Sequence, residues 1–211
     1  MAGRPEGGAS RRPAEYPPVK ILVLYAHPVE TSFNAGLHGT IVERLTAAGH
    51  VVDDCDLYAE EFDPRLTRRE RLDYHNQRGS ADPAAPYVER LLRADALVLS
   101  YPVWNYGFPA ILKGFFDRVF LPGVSFKLVD GKVEPSLHNI RKVAAVTSYG
   151  GSRFRAFLMG DPPRKLIKRM LRATVKPGAP VTYLAHYSMN LSTDETRKSF
   201  TAKVAASMDA F

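Results

Sequence analysis

Two strings in this chain combine side chains and backbone in a way suited to holding an anion and a flat ring. The first is Ala26-His-Pro-Val-Glu-Thr-Ser-Phe-Asn-Ala-Gly36. It is small and hydroxyl-rich, and it opens an amphipathic helix expected to run to about Ala48, with Leu37, Ile41, Leu45 and Ala48 on one side. Exposed N–H groups and the positive end of the helix dipole make such a start an anion seat. Thr31, Ser32 and Asn34 add side-chain hydrogen bonds, and His27 donates one whether neutral or charged. Taken alone, Thr31 or Ser32 reads as an ordinary helix N-cap. No G-x-G-x-x-G follows, nor a P-loop ending in Gly-Lys-Ser/Thr, which disfavours a nicotinamide cofactor held in a Rossmann cradle.

The second string is Tyr101-Pro-Val-Trp-Asn-Tyr-Gly-Phe-Pro-Ala-Ile-Leu-Lys-Gly-Phe-Phe-Asp-Arg-Val-Phe120, after the apolar run Ala96-Leu-Val-Leu-Ser100. It reads as a strand, an aromatic loop and a helix. Pro109 suits the first helical turn, and Ile111, Leu112, Phe115, Phe116, Val119 and Phe120 recur at helical spacing as a core face. From Pro102 to Gly107 the loop offers two aromatic rings, an amide and several backbone groups at the carboxyl end of a buried strand, where open α/β sheets bind ligands. A planar heteroaromatic with polar edges fits such a surface. The plainer alternative is that Trp104 and Tyr106 plug a strand end.

Further along, the strand Lys142-Val-Ala-Ala-Val-Thr-Ser148 ends in Thr147-Ser-Tyr-Gly-Gly151. Paired glycines there permit close backbone approach to a flat ligand, or simply form a strand-to-helix turn. Tyr149 is a candidate proton donor to a substrate. His186, at the end of the strand Val181 to Tyr187, is a conceivable proton shuttle, although a lone histidine at a strand end is more often structural.

The segment Pro102 through Phe120 resembles the NAD(P)H quinone dehydrogenases, flavodoxin-like flavoproteins, and His27-Pro-x-x-Thr-Ser-Phe-Asn34 is similar to that family's flavin-phosphate motif. The resemblance covers roughly residues 19 to 151. It implies phosphate contacts from His27, Thr31, Ser32, Phe33 and Asn34. It also implies a ring loop from Pro102, Val103, Trp104, Asn105 and Tyr106, and a pyrimidine-edge loop ending in Gly150 and Gly151, with Thr147-Ser148 or Ser148-Tyr149 as its hydroxyl pair. Phe126 and Leu128 would face the substrate. The family further implies bound FMN or FAD, NAD(P)H as co-substrate, a quinone or similar acceptor reduced by alternation in one pocket, and a homodimer with sites at its interface. No adenine-binding motif is recognisable, which favours FMN.

These strings must be positioned by the elements between them. Val19 to Tyr25 has the unalternated apolar pattern of a strand covered on both faces, and His50 to Leu57 gives a second strand. Leu66 to His75 is an expected helix with Thr67 and Glu70 as a capping box, and Pro86 to Ala94 returns the chain to the third strand. Asp130-Gly131 signals a small hairpin. A basic segment with Leu158, Leu166, Ile167, Met170 and Leu171 as its expected buried stripe precedes the fifth strand, and Ser192-Thr-Asp-Glu195 reads as a capping box opening a last helix to about Ala210. Five alternating strand and helix units predict an α/β fold, a flavodoxin-like doubly wound five-stranded parallel sheet of order 2-1-3-4-5.

A chain of 211 residues, 45% of them hydrophobic, suits one domain over residues 19 to 211 and a disordered extension over residues 1 to 18. Cys55 is the one cysteine, which excludes a disulfide framework and a thiolate metal cluster and suits a reducing cytoplasm. No apolar run has the length of a membrane span or the character of a signal peptide, so no membrane insertion is expected. The net charge is +7, and from Arg153 to Lys176 eight basic residues face one acid, Asp161. With no nucleic-acid motif beside that charge, a phosphate-bearing small molecule, an anionic partner or a solvated helix face are the readings. The rival functional class is a flavin-bearing regulatory or electron-transfer subunit acting through a protein partner.

Overall fold

The computed structural model describes residues 18–74 and 82–211. The extension expected over residues 1 to 18 lies, but for Pro18, outside the described residues, as does His75. In chain order the elements are β1 (Lys20–Tyr25), α1 (Phe33–Ala47), β2 (Val51–Asp56), α2 (Arg68–Leu72), α3 (Ala85–Arg93), β3 (Ala96–Val103), α4 (Ala110–Val119), β4 (Phe126–Val129), β5 (Lys132–Pro135), β6 (Lys142–Tyr149), α5 (Arg153–Leu158), α6 (Pro162–Lys165), a π-helix (Leu166–Leu171), α7 (Arg172–Thr174), β7 (Val181–His186), a 3₁₀ turn (Met189–Leu191) and α8 (Asp194–Asp209). The parallel sheet has the order β2-β1-β3-β6-β7, which is the expected 2-1-3-4-5, because β4 and β5 form their own hairpin outside it.

Strand parity divides the core. Ile21, Val23, Val98, Ala144 and Val146 face α1 and α8, whose Leu37, Ile41, Val204 and Met208 close that side. Leu22, Leu24, Leu97, Leu99 and Ala145 face the other way, against Leu91 of α3 and Leu112 and Phe115 of α4. Both faces of every central strand are thus apolar, which is the pattern of a doubly covered parallel sheet. Cys55 is buried in β2, and burial pushes its thiol pKa up, as suits a small packing residue.

The long excursion after β2 is locked onto α4. Gly114 leaves room for it, since a Cβ there would lie 2.3 Å from the Pro64 carbonyl oxygen and 2.4 Å from Pro64 Cα. One turn on, the buried Arg118 donates to the Asp63 carbonyl and, from Nε and Nη2 at 2.9 and 2.6 Å, to Glu70 Oε1. Glu70 Oε2 accepts from Thr67 N at 2.6 Å, while Glu70 N donates to Thr67 Oγ1 at 3.2 Å. One carboxylate therefore serves both the expected capping box and a buried ion pair.

Three expectations are corrected. Pro109 is the residue before α4 rather than within its first turn, with an extended ψ of 145°. The cap of α8 is Thr193 paired with Thr196, not Ser192 with Glu195, because Ser192 closes the preceding 3₁₀ turn and its hydroxyl is taken by Arg197. The basic segment is broken at Gly160-Asp161-Pro162 and continues as a π-helix, so only Ile167 and Leu171 of the expected stripe are buried, while Leu158 and Met170 are exposed.

Arg118→Ala removes the guanidinium from the buried Glu70 carboxylate and is expected to lower unfolding free energy by a few kcal/mol, about 3 or more, in a denaturant titration. Burial alone would raise the Glu70 pKa, but the Thr67 backbone and hydroxyl and the Arg118 guanidinium outweigh it and hold the group below the usual carboxylate range. The contribution is present above the unfolded carboxylate pKa and lost as the pH falls through the lower folded value. The gap between wild type and variant is therefore expected to narrow below about pH 4.

Candidate functional site

The sheet's carboxyl edge is stepped. β1 ends at Tyr25, level with Ser100 of β3. Tyr101, Pro102 and Val103 continue to pair with Thr147, Ser148 and Tyr149 of β6. At about 3.3 Å per residue this is an overhang of about 10 Å. Pro102 is tolerated in it because β3 has by then lost its β1 neighbour and is locally an edge. The loop after β1 occupies the step below the overhang.

In that loop Ser32 caps α1, accepting from Ala35 N at 3.1 Å. The amides of Phe33 and Asn34, the first of the helix, have no intrahelical acceptor, and the first turn carries no acidic residue. His27 Nδ1 accepts from Val29 N at 3.1 Å, which leaves the neutral ring's proton on Nε2. Burial lowers the His27 pKa, so the neutral form prevails near neutral pH. Thr31 is exposed beside them. Asn34 is buried, with Oδ1 accepting from Ser148 Oγ at 2.6 Å and Nδ2 without a hydrogen-bond partner among the described residues. The arrangement can seat a phosphate, with Ser32 already serving as the cap of α1.

The ring loop is a two-residue hairpin. Trp104 and Gly107 exchange both backbone bonds, at 3.3 and 2.8 Å, and Asn105 and Tyr106 between them both have left-handed φ, 49° and 55°. Trp104 is 41% exposed, with its ring 5.8 Å from that of His27. The Tyr106 hydroxyl reaches the glycine loop, where a Cβ built on Gly151 would lie 3.4 Å from it. From the far side Ser188 N donates to the Gly151 carbonyl at 2.9 Å, and Asn190 is 3.7 Å from where a Gly150 Cβ would be. Loops after β1, β3, β6 and β7 thus meet on one ledge.

Other expected residues lie elsewhere. Tyr149 and His186, each expected as a separate proton-transfer candidate, are on opposite faces of the sheet and both are buried. The Tyr149 hydroxyl donates to Asp161 Oδ1 at 2.7 Å and bonds the Tyr183 hydroxyl at 2.6 Å, and burial first, then Tyr183 and Asp161, push its pKa far up. His186 packs against Phe33 and Phe200 at 5.4 and 5.3 Å, its pKa lowered by burial and then by Arg197. Phe33 therefore offers the ledge its amide, while its ring serves the core. Thr147 is wholly buried. Phe126 lines a cavity of about 520 Å³ with Phe108, Phe116, Phe120, Leu166 and Met170, whereas Leu128 stands exposed on the hairpin. None of Thr31, Trp104, Tyr106, Gly150 or Gly151 lines that cavity.

Sequence reasoning missed Asn190 and Ser188. The signal was available in principle, since the loop after the fifth strand must emerge on the same edge as the others. The donor set of helix-start amides, hydroxyls, an imidazole N–H and the unpartnered Asn34 amide fits a phosphate. The tryptophan–tyrosine turn over two side-chain-free glycines fits a flat ring. Together they fit a flavin mononucleotide in outline.

A family model described as flavodoxin-like fold matches residues 19–204. The uncharacterized NAD(P)H oxidoreductase YcaK of Escherichia coli is 35% identical over 143 residues, 67% of this chain and 69% of that protein. NAD(P)H dehydrogenase (quinone) 1 of Cavia porcellus is 32% identical over 157 residues, 67% of this chain and 57% of its own length. The chain thus spans little more than half of the mammalian relatives it matches. The solved NAD(P)H:quinone oxidoreductase from Methanothermobacter marburgensis superposes with a TM-score of 0.80 at 26% identity, over 92% of this chain and 98% of that one.

The Asn34–Ser148 bond ties the first loop to β6. A double-mutant cycle with Asn34→Ala and Ser148→Ala is expected to show a coupling of about 1 kcal/mol in unfolding free energy, and additive effects would mean that the two loops are held independently.

Proposed function

The chain belongs to the flavodoxin-like family whose model matches residues 19–204, and on that premise we propose that it is an NAD(P)H-dependent flavin oxidoreductase acting on a quinone or similar electrophilic aromatic. The observation that carries this reading is the shared ledge, with an anion seat at the start of α1 and an aromatic turn above Gly150 and Gly151. The names of the bacterial, mammalian and archaeal relatives support it.

In this reading His27 through Nε2, Thr31, Ser32 and the Phe33 and Asn34 amides hold the phosphate. Pro102, Val103, Trp104, Asn105 and Tyr106 lie along the ring, and the backbone of Gly150 and Gly151 serves its polar edge, with Thr147 and Ser148 fixing that backbone from inside the sheet. FMN is the proposed cofactor, since nothing in the chain reads as an adenine seat. When bound, the flavin supplies reversible hydride acceptance, linking NAD(P)H oxidation to reduction of the acceptor. Both substrates share one face above the Trp104–Tyr106 turn, so they must alternate. The reading includes a cytoplasmic homodimer whose hairpin residues Phe126 and Leu128 border the acceptor site. The protein's part is to orient, exclude water and hold donors in place.

Purified protein is expected to show a flavin spectrum that bleaches with NADPH under anaerobic conditions and returns when a simple quinone is added. A flavin that stays oxidised for minutes, or no binding after reconstitution, counts against the proposal. Gly151→Val, which crowds the Tyr106 hydroxyl, is expected to lower flavin affinity at least about tenfold, because the backbone position loses its close approach. Tyr149→Phe is expected to leave quinone turnover within about twofold of wild type while lowering stability by about 1 kcal/mol, because its hydroxyl serves Asp161 and Tyr183. A large loss of turnover in that variant would restore Tyr149 as a proton donor.

A further inference from the structure

The face formed by α5 and the π-helix is unlike the rest of the surface. Phe154, Phe157 and Leu158 stand at i, i+3 and i+4 on α5 and are 69%, 74% and 65% exposed, while Ala156 on the opposite side is buried. Met159, 58% exposed, extends this stripe into a groove shared with Lys165, Leu166, Arg169 and Met170. Arg153 and Arg155 on α5 and Lys165 and Arg169 along the groove are all exposed. Among the described residues none of them lies within ion-pair distance of a carboxylate. The segment's one acid, Asp161, is engaged by Tyr149.

We propose that this face docks on an anionic lipid bilayer. Two unlike features adjoin here, and a bilayer interface complements both. The phenylalanine–leucine–methionine stripe matches the acyl boundary, and the unpaired cations match anionic headgroups. A second copy of the chain meeting this face about a twofold axis would bring the same unpaired cations together, which disfavours it as the occupant. A small anion would need the arginines and not the aromatic stripe. Docking requires no spanning helix, and among the described residues no helix is long and apolar enough to cross a membrane. Because α5 begins just after Gly151 and Ser152, the docked molecule holds its ledge near the lipid surface. The consequence that the acceptor is a quinone dissolved in the membrane rests on the oxidoreductase reading above.

The test is co-sedimentation of the full chain with phosphatidylcholine vesicles, with and without about one-third phosphatidylglycerol, over a range of salt. Binding is expected only with the anionic lipid and is expected to weaken as salt rises. Phe154→Ser with Phe157→Ser, and separately Lys165→Glu with Arg169→Glu, are each expected to weaken it by about tenfold or more while leaving reduction of a water-soluble quinone unchanged. Equal binding to neutral vesicles, no binding, or wild-type binding by both double variants overturns the proposal. So does a serine variant that loses self-association but binds vesicles normally, because the stripe would then belong to a second copy. Vesicle binding is read without turnover, so a chain that binds anionic vesicles but reduces no quinone counts against the oxidoreductase reading alone.

Discussion

The pairing of β3 between β1 and β6 is the constraint on which the rest depends. A parallel strand buried on both faces must have its backbone groups met by two neighbours, and β3 has both as far as Ser100. Beyond that point it keeps only β6. The step left by β1 is where α1 can present its first amides, and the overhang is where an aromatic turn can stand over them. The same register sets Ser148 beside Pro102 on one side and His186 on the other, so the position of Asn34 follows from strand pairing.

The second support is on α4. Its N-terminus receives the chain directly from the Trp104–Gly107 turn, so any sliding of that helix would move the turn. Gly114 and Arg118 prevent sliding by fixing the helix to the Pro64 backbone and to Glu70. Phe108, stacked on Phe116 at 5.4 Å and edge-on to Tyr101 at 5.1 Å, ties the base of the turn to the same helix. Through α4, the described part of the excursion after β2 thus helps to hold the ledge.

Much of this was legible in the sequence, because the determinants are local. Unalternated apolar runs marked the sheet strands, Asp130-Gly131 marked the hairpin through two left-handed residues, and Thr67 with Glu70 marked a cap that forms as read. The ledge's composition was legible for the same reason. What was not legible depends on distant partners or on parity. The Asn34–Ser148 bond joins positions 114 residues apart. Tyr149 looked available beside two glycines, but strand alternation turns it toward Tyr183 while Ser148 turns toward α1. Asp161, in a left-handed conformation before two prolines, broke a helical pattern that the apolar spacing alone would have continued, and the exposed stripe of α5 follows from that break.

Asn105 and Tyr106 both sit in a backbone region that glycine enters freely and other L-residues enter at a penalty of about 1–2 kcal/mol each, with asparagine the better tolerated. At the second position a glycine would relax the hairpin, yet the chain carries a tyrosine. The tip of this loop is thus a place where foldability has been given up to keep an aromatic ring over the glycine ledge. Selection for thermostability alone would be drawn to this position, and a stabilised descendant that replaced Tyr106 would be a sturdier scaffold with an emptier shelf.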